Sequence, residues 1–290
     1  MVLNSYAKLN LYLRVLSRRK DNYHSLKTVF ERIDLHDKII LKPIASDRIK
    51  ITADTKLIPA DESNLAFAAA GLLKNKFRIR SGVDIKIIKR IPVAGGMGGG
   101  SSNAVCVLCA LNKLWKLGLG KKELVMLGRR LGADVPFFIH NTSFAKAGGR
   151  GDDVRPLSQL RKSRFWHIIA VPGIRASTPL VYQKWDKIGQ KVRLTSADSD
   201  VKMLTSALRK KNISLISKIL FNSLEEPSIK LYPEIGKIKE KLSSLGLKAV
   251  LMSGSGAAVF GMVCSKSEAF SLARQLRRNR TWRICIARTI

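Results

Sequence analysis

Acidic residues are scarce in this chain of 290 residues: 21 Asp and Glu stand against 53 Lys and Arg, a formal net charge of +32. An excess of that size suggests nucleic acid, an anionic surface or a lineage-wide basic bias. Aromatics are also few, at 7%. Nucleic-acid readers usually add stacking aromatics or a recognition motif to their charge, so no specific nucleic-acid partner is expected. The basic residues are spread along the chain. Their densest cluster, RQLRRNRTWR over Arg274–Arg283, reads as a solvated helix face, and part of the excess can serve a polyanionic nucleotide. Of four cysteines, Cys106, Cys109, Cys264 and Cys285, the first two sit at i, i+3 on an apolar helix; with no second close pair or histidine cluster to complete a zinc site, they read as core residues and the set as cytosolic thiols. No apolar run reaches the ~18 residues of a membrane helix. The start, MVLNSYAKLNLYLRVL, alternates like a strand and shows no signal-peptide cleavage site. A cytoplasmic protein without a membrane partner is expected. Internal repeats and low-complexity segments are missing too.

What is present centres on PVAGGMGGGSS, residues Pro92, Val93, Ala94, Gly95, Gly96, Met97, Gly98, Gly99, Gly100, Ser101 and Ser102. A strand is predicted before it, over residues 83–91, where Val83, Ile85 and Ile87 alternate with polar residues. A helix is predicted after it, over 103–116, ending near Gly118 and apolar nearly all round, hence buried. Strand, glycine loop and helix start together make an anion site. Glycine lets backbone N–H groups approach a phosphate without a Cβ in the way. The helix N-terminus adds unpaired donors and partial positive charge. Ser101 or Ser102 can cap that helix or reach a metal ion. The two common phosphate templates fail. A P-loop needs Gly-Lys-Ser/Thr, and Ser101 stands where the lysine should be. The dinucleotide fingerprint places its third glycine at Ser101 or Asn103.

The pattern P-x-x-G-G-x-G-G-G-S-S-N-A resembles the phosphate loop of the GHMP kinases (galacto-, homoserine, mevalonate and phosphomevalonate kinases), most of all members whose substrate carries a cytosine. AKLNLYL at residues 7–13 is similar to the family's opening. The resemblance implies that Lys8 lies at the reacting oxygen and that Asn10 touches substrate; both project from one face of a strand predicted over 5–16. Within a polar loop over 17–28, Tyr23 and His24 match a Tyr-His pair that implies stacking on cytosine and hydrogen bonding to its edge. Two departures occur there: Asn22 stands for glycine, which a tolerated positive φ accommodates, and Ser25 for glutamate. Asn64 matches an asparagine near the adenine, and Asp61 or Ser63 can cap the helix after it. GADVP matches the segment whose aspartate, here Asp134, is the base. SFAKAGGRGDDVRPL resembles a further segment, with Asp152 where glutamate is usual. Thr178 and Pro179 match a Thr-Pro step, Tyr182 replaces an aromatic that sandwiches the base, and Gln183 stands where a lysine can occur. Asn222, Leu224 and Glu225 echo another motif. Gly254 and Gly256, in SGSGA, imply backbone N–H groups that help close the phosphate site.

Elsewhere, residues 29–58 predict three strands, VFERIDL, KIILKPI and IKITAD. Residues 121–131 predict a helix, 166–172 a buried strand, 200–245 three helical stretches, and 247–263 two apolar strands. Ser265 and Glu268 form a capping box for a last helix. Strands and helices mixed without strict βαβ alternation suggest α+β. The resemblance implies a two-domain GHMP-kinase-like fold, with a nucleotide-binding domain over 1–155, a GHMP-type C-terminal domain over 156–290, and the active site in the cleft between them. It further implies ATP and Mg2+ and a small-molecule substrate. Asp134 takes the proton of the substrate hydroxyl, and Lys8 keeps Asp134 ionised. The alternatives are another GHMP small-molecule kinase and, prompted by the charge, a nucleic-acid-binding protein on a related fold.

Overall fold

The computed structural model describes residues 1–188, 196–263 and 265–290. Cys264 lies outside the described residues; Cys106, Cys109 and Cys285 are half-buried and form no disulfide among the described residues. Strands β1 (Val2–Arg18), β2 (His24–Ile44) and β3 (Ile49–Ala53) open the chain. Helix α1 (Leu65–Phe77), strand β4 (Gly82–Ile88) and helices α2 (Gly99–Leu114), α3 (Lys121–Leu131) and α4 (Val135–His140) follow. Next come β5 (Phe144–Gly148), β6 (Asp153–Pro156) and β7 (Trp166–Pro172), then α5 (Thr178–Ile188), α6 (Ala197–Arg209) and α7 (Ile213–Ile219). The short β8 (Phe221–Asn222) precedes α8 (Glu225–Leu231) and α9 (Glu234–Ser244). The order then closes with β9 (Val250–Met252), β10 (Val259–Val263), α10 (Lys266–Leu276) and β11 (Trp282–Arg288). This is the α+β mixture expected.

Two compact units form, each from several stretches of chain: residues 1–7, 36–93 and 98–141 make the first, and 8–35, 94–97 and 142–290 the second. In the first, β3 runs parallel to β4, with Ile51 opposite Ile85, and β4 runs antiparallel to the second half of β2, with Ile39 opposite Ile87. Helices α1 and α2 pack on each other. The small residues Ala66, Ala69 and Ala70 line the buried side of α1, and Val107, Leu108 and Leu111 that of α2. Leu114 and Trp115, expected in the core, are only half-buried.

In the second unit, β1 pairs parallel with β8, with Leu13 opposite Asn222, and the first half of β2 pairs antiparallel with β5, with Thr28 opposite Ala147. A separate antiparallel sheet has the order β11-β7-β10-β9. Its inner face packs Ile168, Ala170 and Val259 against Val181 of α5, Ile235 and Ile238 of α9, and Ala269 of α10.

Several expectations need correction. VFERIDL and KIILKPI are one strand, β2, not two. The polar pair His36–Asp37 reads as a break, but the Asp37 carboxylate is buried and accepts from the N–H groups of Arg90 and Ile91, each at 2.7 Å, so the strand continues. Lys89 Nζ also donates to Asp37, at 2.6 Å. The loop predicted over 17–28 shrinks because β1 extends to Arg18 and β2 starts at His24. Helix α2 starts at Gly99, four residues early. Gly98, with φ of +67°, is its N-cap and no side chain caps it, so neither Ser101 nor Ser102 does so. Helix α1 is capped by Asn64, whose Oδ1 accepts from Ala66 N–H at 3.0 Å. Asp61 is spent on Ser63, accepting from its N–H at 2.9 Å and its hydroxyl at 2.6 Å. The three helical stretches over 200–245 are four helices, split where Asn212 caps α7 and where Phe221–Asn222 pairs with β1. The arginine cluster stays exposed but is not one helix face: α10 stops at Leu276, and Trp282 already belongs to β11.

Candidate active site

The glycine-rich stretch supplies residues 94–97 to the second unit and 98–102 to the first. In the first unit it opens α2. A helix leaves its first backbone donors without intrahelical partners; here Ser102 N–H already bonds Gly98 C=O at 2.9 Å, so the open donors are those of Gly99, Gly100 and Ser101. These N–H groups lie at the positive end of a 16-residue helix, a position that favours a negatively charged group. The entry to the glycine-rich loop is fixed by Asp37, which holds Arg90 and Ile91, the two residues just before Pro92. A Cβ on Gly99 would lie 3.1 Å from Lys89 Nζ, so that ammonium flanks the helix start while paired with Asp37.

The two serines separate in role. Ser102 is buried, with its hydroxyl 2.8 Å from that of Ser5, which also donates to Asn103 Oδ1 at 2.6 Å. Ser101 is half-buried beside Gly132, its Oγ 3.8 Å from where a Cβ on that residue would sit. Asp134 follows two residues later. It is half-buried at the N-cap of α4 and caps nothing with its side chain. Asn64 is committed at both ends of its amide, to Ala66 N–H and, through Nδ2 at 2.7 Å, to Pro59 C=O. Pro92 and Val93 lead into the loop in the same unit. Among the described residues no group of three or more His, Cys, Asp or Glu is placed to hold a metal ion. The Ser101 hydroxyl, in the first turn of α2, is the type of donor a hard cation takes together with phosphate and water oxygens.

The second unit holds the other half of the predicted residues, joined by hydrogen bonds. Lys8 and Asn10 share the buried face of β1. Lys8 Nζ donates to Asn10 Oδ1 at 2.5 Å, Asn10 Nδ2 donates to Thr28 Oγ1 at 2.8 Å, and Thr28 donates to the Tyr12 carbonyl at 2.6 Å. The Lys8 ammonium also stands 5.3 Å from the centre of the Phe30 ring. Burial, and then the hydrogen bond to Asp200, pushes the Tyr12 hydroxyl up to about 12, so it remains a donor that ties β1 to α6.

The backbone of this strand is tied to both glycine loops. Lys8 N–H donates to Met97 C=O at 3.0 Å. Asn10 N–H donates to Ser253 Oγ at 3.3 Å, and Ser253 Oγ donates to Gly96 C=O at 3.1 Å. The N–H groups of Ala257 and Ala258 bond the carbonyls of Ala94 and Gly95, at 3.0 and 3.3 Å. Contact is so close that a Cβ on Gly96, whose φ is +69°, would fall 2.1 Å from Ser253 C=O. Gly256 N–H turns inward to Ser253 C=O at 3.0 Å. Gly254 lies against Gly96, with φ of +57°. Asn222 stands under this second loop, with Nδ2 donating to the carbonyls of Met252 and Gly254 at 2.8 and 2.7 Å. Thr178 Oγ1 reaches Ser255 Oγ at 2.7 Å from the first residue of α5.

A third cluster lies at the start of β2. His24 is buried, its ring stacked on Tyr182 at 5.0 Å and edge-on to Trp185 at 5.4 Å. Its Nε2 is 2.8 Å from Asp186 Oδ1. Tyr23 beside it is 55% exposed and carries the Arg150 guanidinium over its ring at 5.0 Å. Asn22 has φ of +63°, the positive value for which glycine would be usual. His24, Tyr23 and Tyr182 were visible in the sequence, but Thr28, Ser253, Asp37 and Asp186 were not, because their hydrogen-bond partners lie far along the chain.

Models of two families match the chain: the GHMP kinases N terminal domain over residues 64–142 and the GHMP kinases C terminal domain over 204–280. The first covers the helix-capped cradle and GADVP; the second covers Asn222 and the second glycine loop. A 4-diphosphocytidyl-2-C-methyl-D-erythritol kinase of Geobacillus sp. (strain WCH70) is 43% identical over 265 residues, 91% of this chain and 88% of the relative. One of the same name from Caldicellulosiruptor saccharolyticus is 39% identical over 96% of this chain and 93% of its own. A crystal structure of 4-(cytidine 5'-diphospho)-2C-methyl-D-erythritol kinase superposes with a TM-score of 0.81 at 34% identity, covering 99% of this chain and 98% of that one. Mevalonate kinase of L. major shares the fold, with a TM-score of 0.73 at 14% identity. The chain belongs to the GHMP kinase family.

Proposed function

We propose that this GHMP kinase transfers the γ-phosphoryl group of ATP to the 2-hydroxyl of 4-diphosphocytidyl-2-C-methyl-D-erythritol, a step of non-mevalonate isoprenoid precursor synthesis. Phosphoryl transfer asks for a phosphate cradle, charge neutralisation and an oriented nucleophile. The open N–H groups of Gly99, Gly100 and Ser101 receive the nucleotide phosphates. Mg2+ carried with the nucleotide supplies the neutralisation that a P-loop lysine gives elsewhere, and Ser101, whose hydroxyl is less engaged than that of Ser102, is its candidate protein ligand. Asp134 takes the proton of the attacking hydroxyl. Lys8 stabilises negative charge at the reacting oxygen, and Asn10, fixed through Thr28, orients the substrate.

The observation that carries the choice of substrate is the aromatic cluster at the start of β2, where His24 stacks on Tyr182 beside the exposed Tyr23; it has no place in the transfer itself. Purified protein with Mg-ATP should turn over the cytidyl compound, act weakly on its uridyl analogue, and leave galactose, homoserine and mevalonate untouched. Turnover of mevalonate or homoserine without the cytidyl compound would overturn the substrate and keep the kinase class.

A further inference from the structure

We propose that Asp186 is a positioning residue that sets the tautomer of His24, and through it the preference for cytosine over uracil; the second half rests on the function proposed above. The His24 ring is held by three neighbours. Tyr182 covers one face, Trp185 meets it edge-on, and Asp186 Oδ1 lies 2.8 Å from Nε2. Tyr182, Trp185 and Asp186 all sit on α5, at spacings of three, one and four residues that bring them to one side of that helix. A carboxylate only accepts hydrogen bonds. Nε2 must therefore carry the proton, and in the neutral ring Nδ1 is left with its lone pair.

That second nitrogen is open. Among the described residues Nδ1 has no hydrogen-bond partner, and it is not one of the fully buried polar atoms left unsatisfied. A ring buried on its faces and locked at one nitrogen thus presents a single acceptor. The amino group of cytosine donates to an acceptor at that position; the corresponding carbonyl of uracil is itself an acceptor and meets lone pair with lone pair. Sites that pair with a substrate N–H or O–H reject analogues that cannot make the bond. The tautomer is what makes the slot selective, and it is imposed by a side chain that need not touch the base.

The test pairs kinetics with ring spectroscopy. Nitrogen-15 correlation spectra of the imidazoles separate protonated from lone-pair nitrogens, and His24 is one of only four histidines. The native protein should show His24 protonated at Nε2. Asp186→Asn and Asp186→Ala should mix the tautomers and narrow the cytidyl-over-uridyl ratio of kcat/KM by about tenfold, mostly through KM for the cytidyl substrate. Asp186→Glu, which restores an acceptor, should recover part of the ratio. Unfolding midpoints and binding of a nonhydrolysable ATP analogue verify that each variant is folded. A native spectrum with the proton on Nδ1 overturns the proposal, as does a tautomer shift that leaves the base ratio unchanged. Absence of turnover of the cytidyl compound by the native enzyme removes the proposed function and the base selection with it, while the spectrum still decides the tautomer.

Discussion

Two regions of the second unit are built on opposite terms. Around Lys8, the polar chain is buried and bonded: Lys8 is 4% exposed and Asn10 1%, and the links from ammonium to amide to Thr28 hydroxyl end on a carbonyl. At the start of β2, Tyr23 stands largely in water and its buried neighbour His24 is held by α5, a helix with one face in the core and the other exposed. The difference follows from the work each region does. A reacting group must hold its place to a fraction of an ångström, and a buried, satisfied network supplies that rigidity. A base is recognised by stacking and a few edge contacts, which tolerate solvent on one side. The first region should therefore fail in rate and stability, and the second in affinity.

The largest break is expected in the first unit, at Asp134. Asp134→Asn removes the proposed base while keeping the size and position of the side chain. It should lower kcat by ~10²–10⁴, the usual worth of a general base, with nucleotide binding intact. A folded variant with near-native kcat would take Asp134 out of that role. Smaller, and of the other kind, is the effect of Tyr23→Ala. Stacking on an aromatic contributes ~1–3 kcal/mol, so KM for the cytidyl compound should rise roughly ten- to a hundredfold while kcat moves little. If kcat falls as far as KM rises, the slot is coupled to the chemistry and the contrast between the regions dissolves.

Parts of the molecule also differ in how far the sequence reveals them. The glycine-rich start of α2 in the first unit was legible because an apolar strand and a helix flank the glycines. Alternation of apolar residues marked β1 and placed Lys8 with Asn10 on one face. The bracing was not legible. Asp37 looks like a turn former until its carboxylate is seen to bond residues 89–91, more than fifty positions on. Asp186 looks like one more charged residue on an exposed helix. The last strand, β11, was hidden by its arginines, although Ile284 and Ile286 alternate and pair with Ala170 and Ile168 across β7. Long-range hydrogen bonds leave no periodic trace, whereas burial does.

The smallest effect expected here concerns that hidden bracing. Asn222 touches neither proposed ligand. Its Nδ2 satisfies the carbonyls of Met252 and Gly254, its Oδ1 accepts from Leu224 N–H at 2.9 Å, and the residue is buried. Gly254 leads into the loop whose Ala257 and Ala258 bond Ala94 and Gly95, and Ser253 just before it bonds Asn10 and Gly96. Replacing Asn222 with alanine strands two carbonyls and one N–H with no partner, at a cost of about 1–3 kcal/mol in unfolding free energy. Because the same carbonyls fix the second glycine loop, KM for ATP should rise before any change in KM for the cytidyl compound. Asn222→Asp separates the two parts of this argument: it keeps the acceptor for Leu224 but turns the donor pair into a carboxylate facing two carbonyls. It should therefore be at least as damaging as alanine. A stable Asn222→Asp enzyme with native KM for ATP would show that the loop keeps its shape without this residue, and that the rigidity around Lys8 resides in β1 alone.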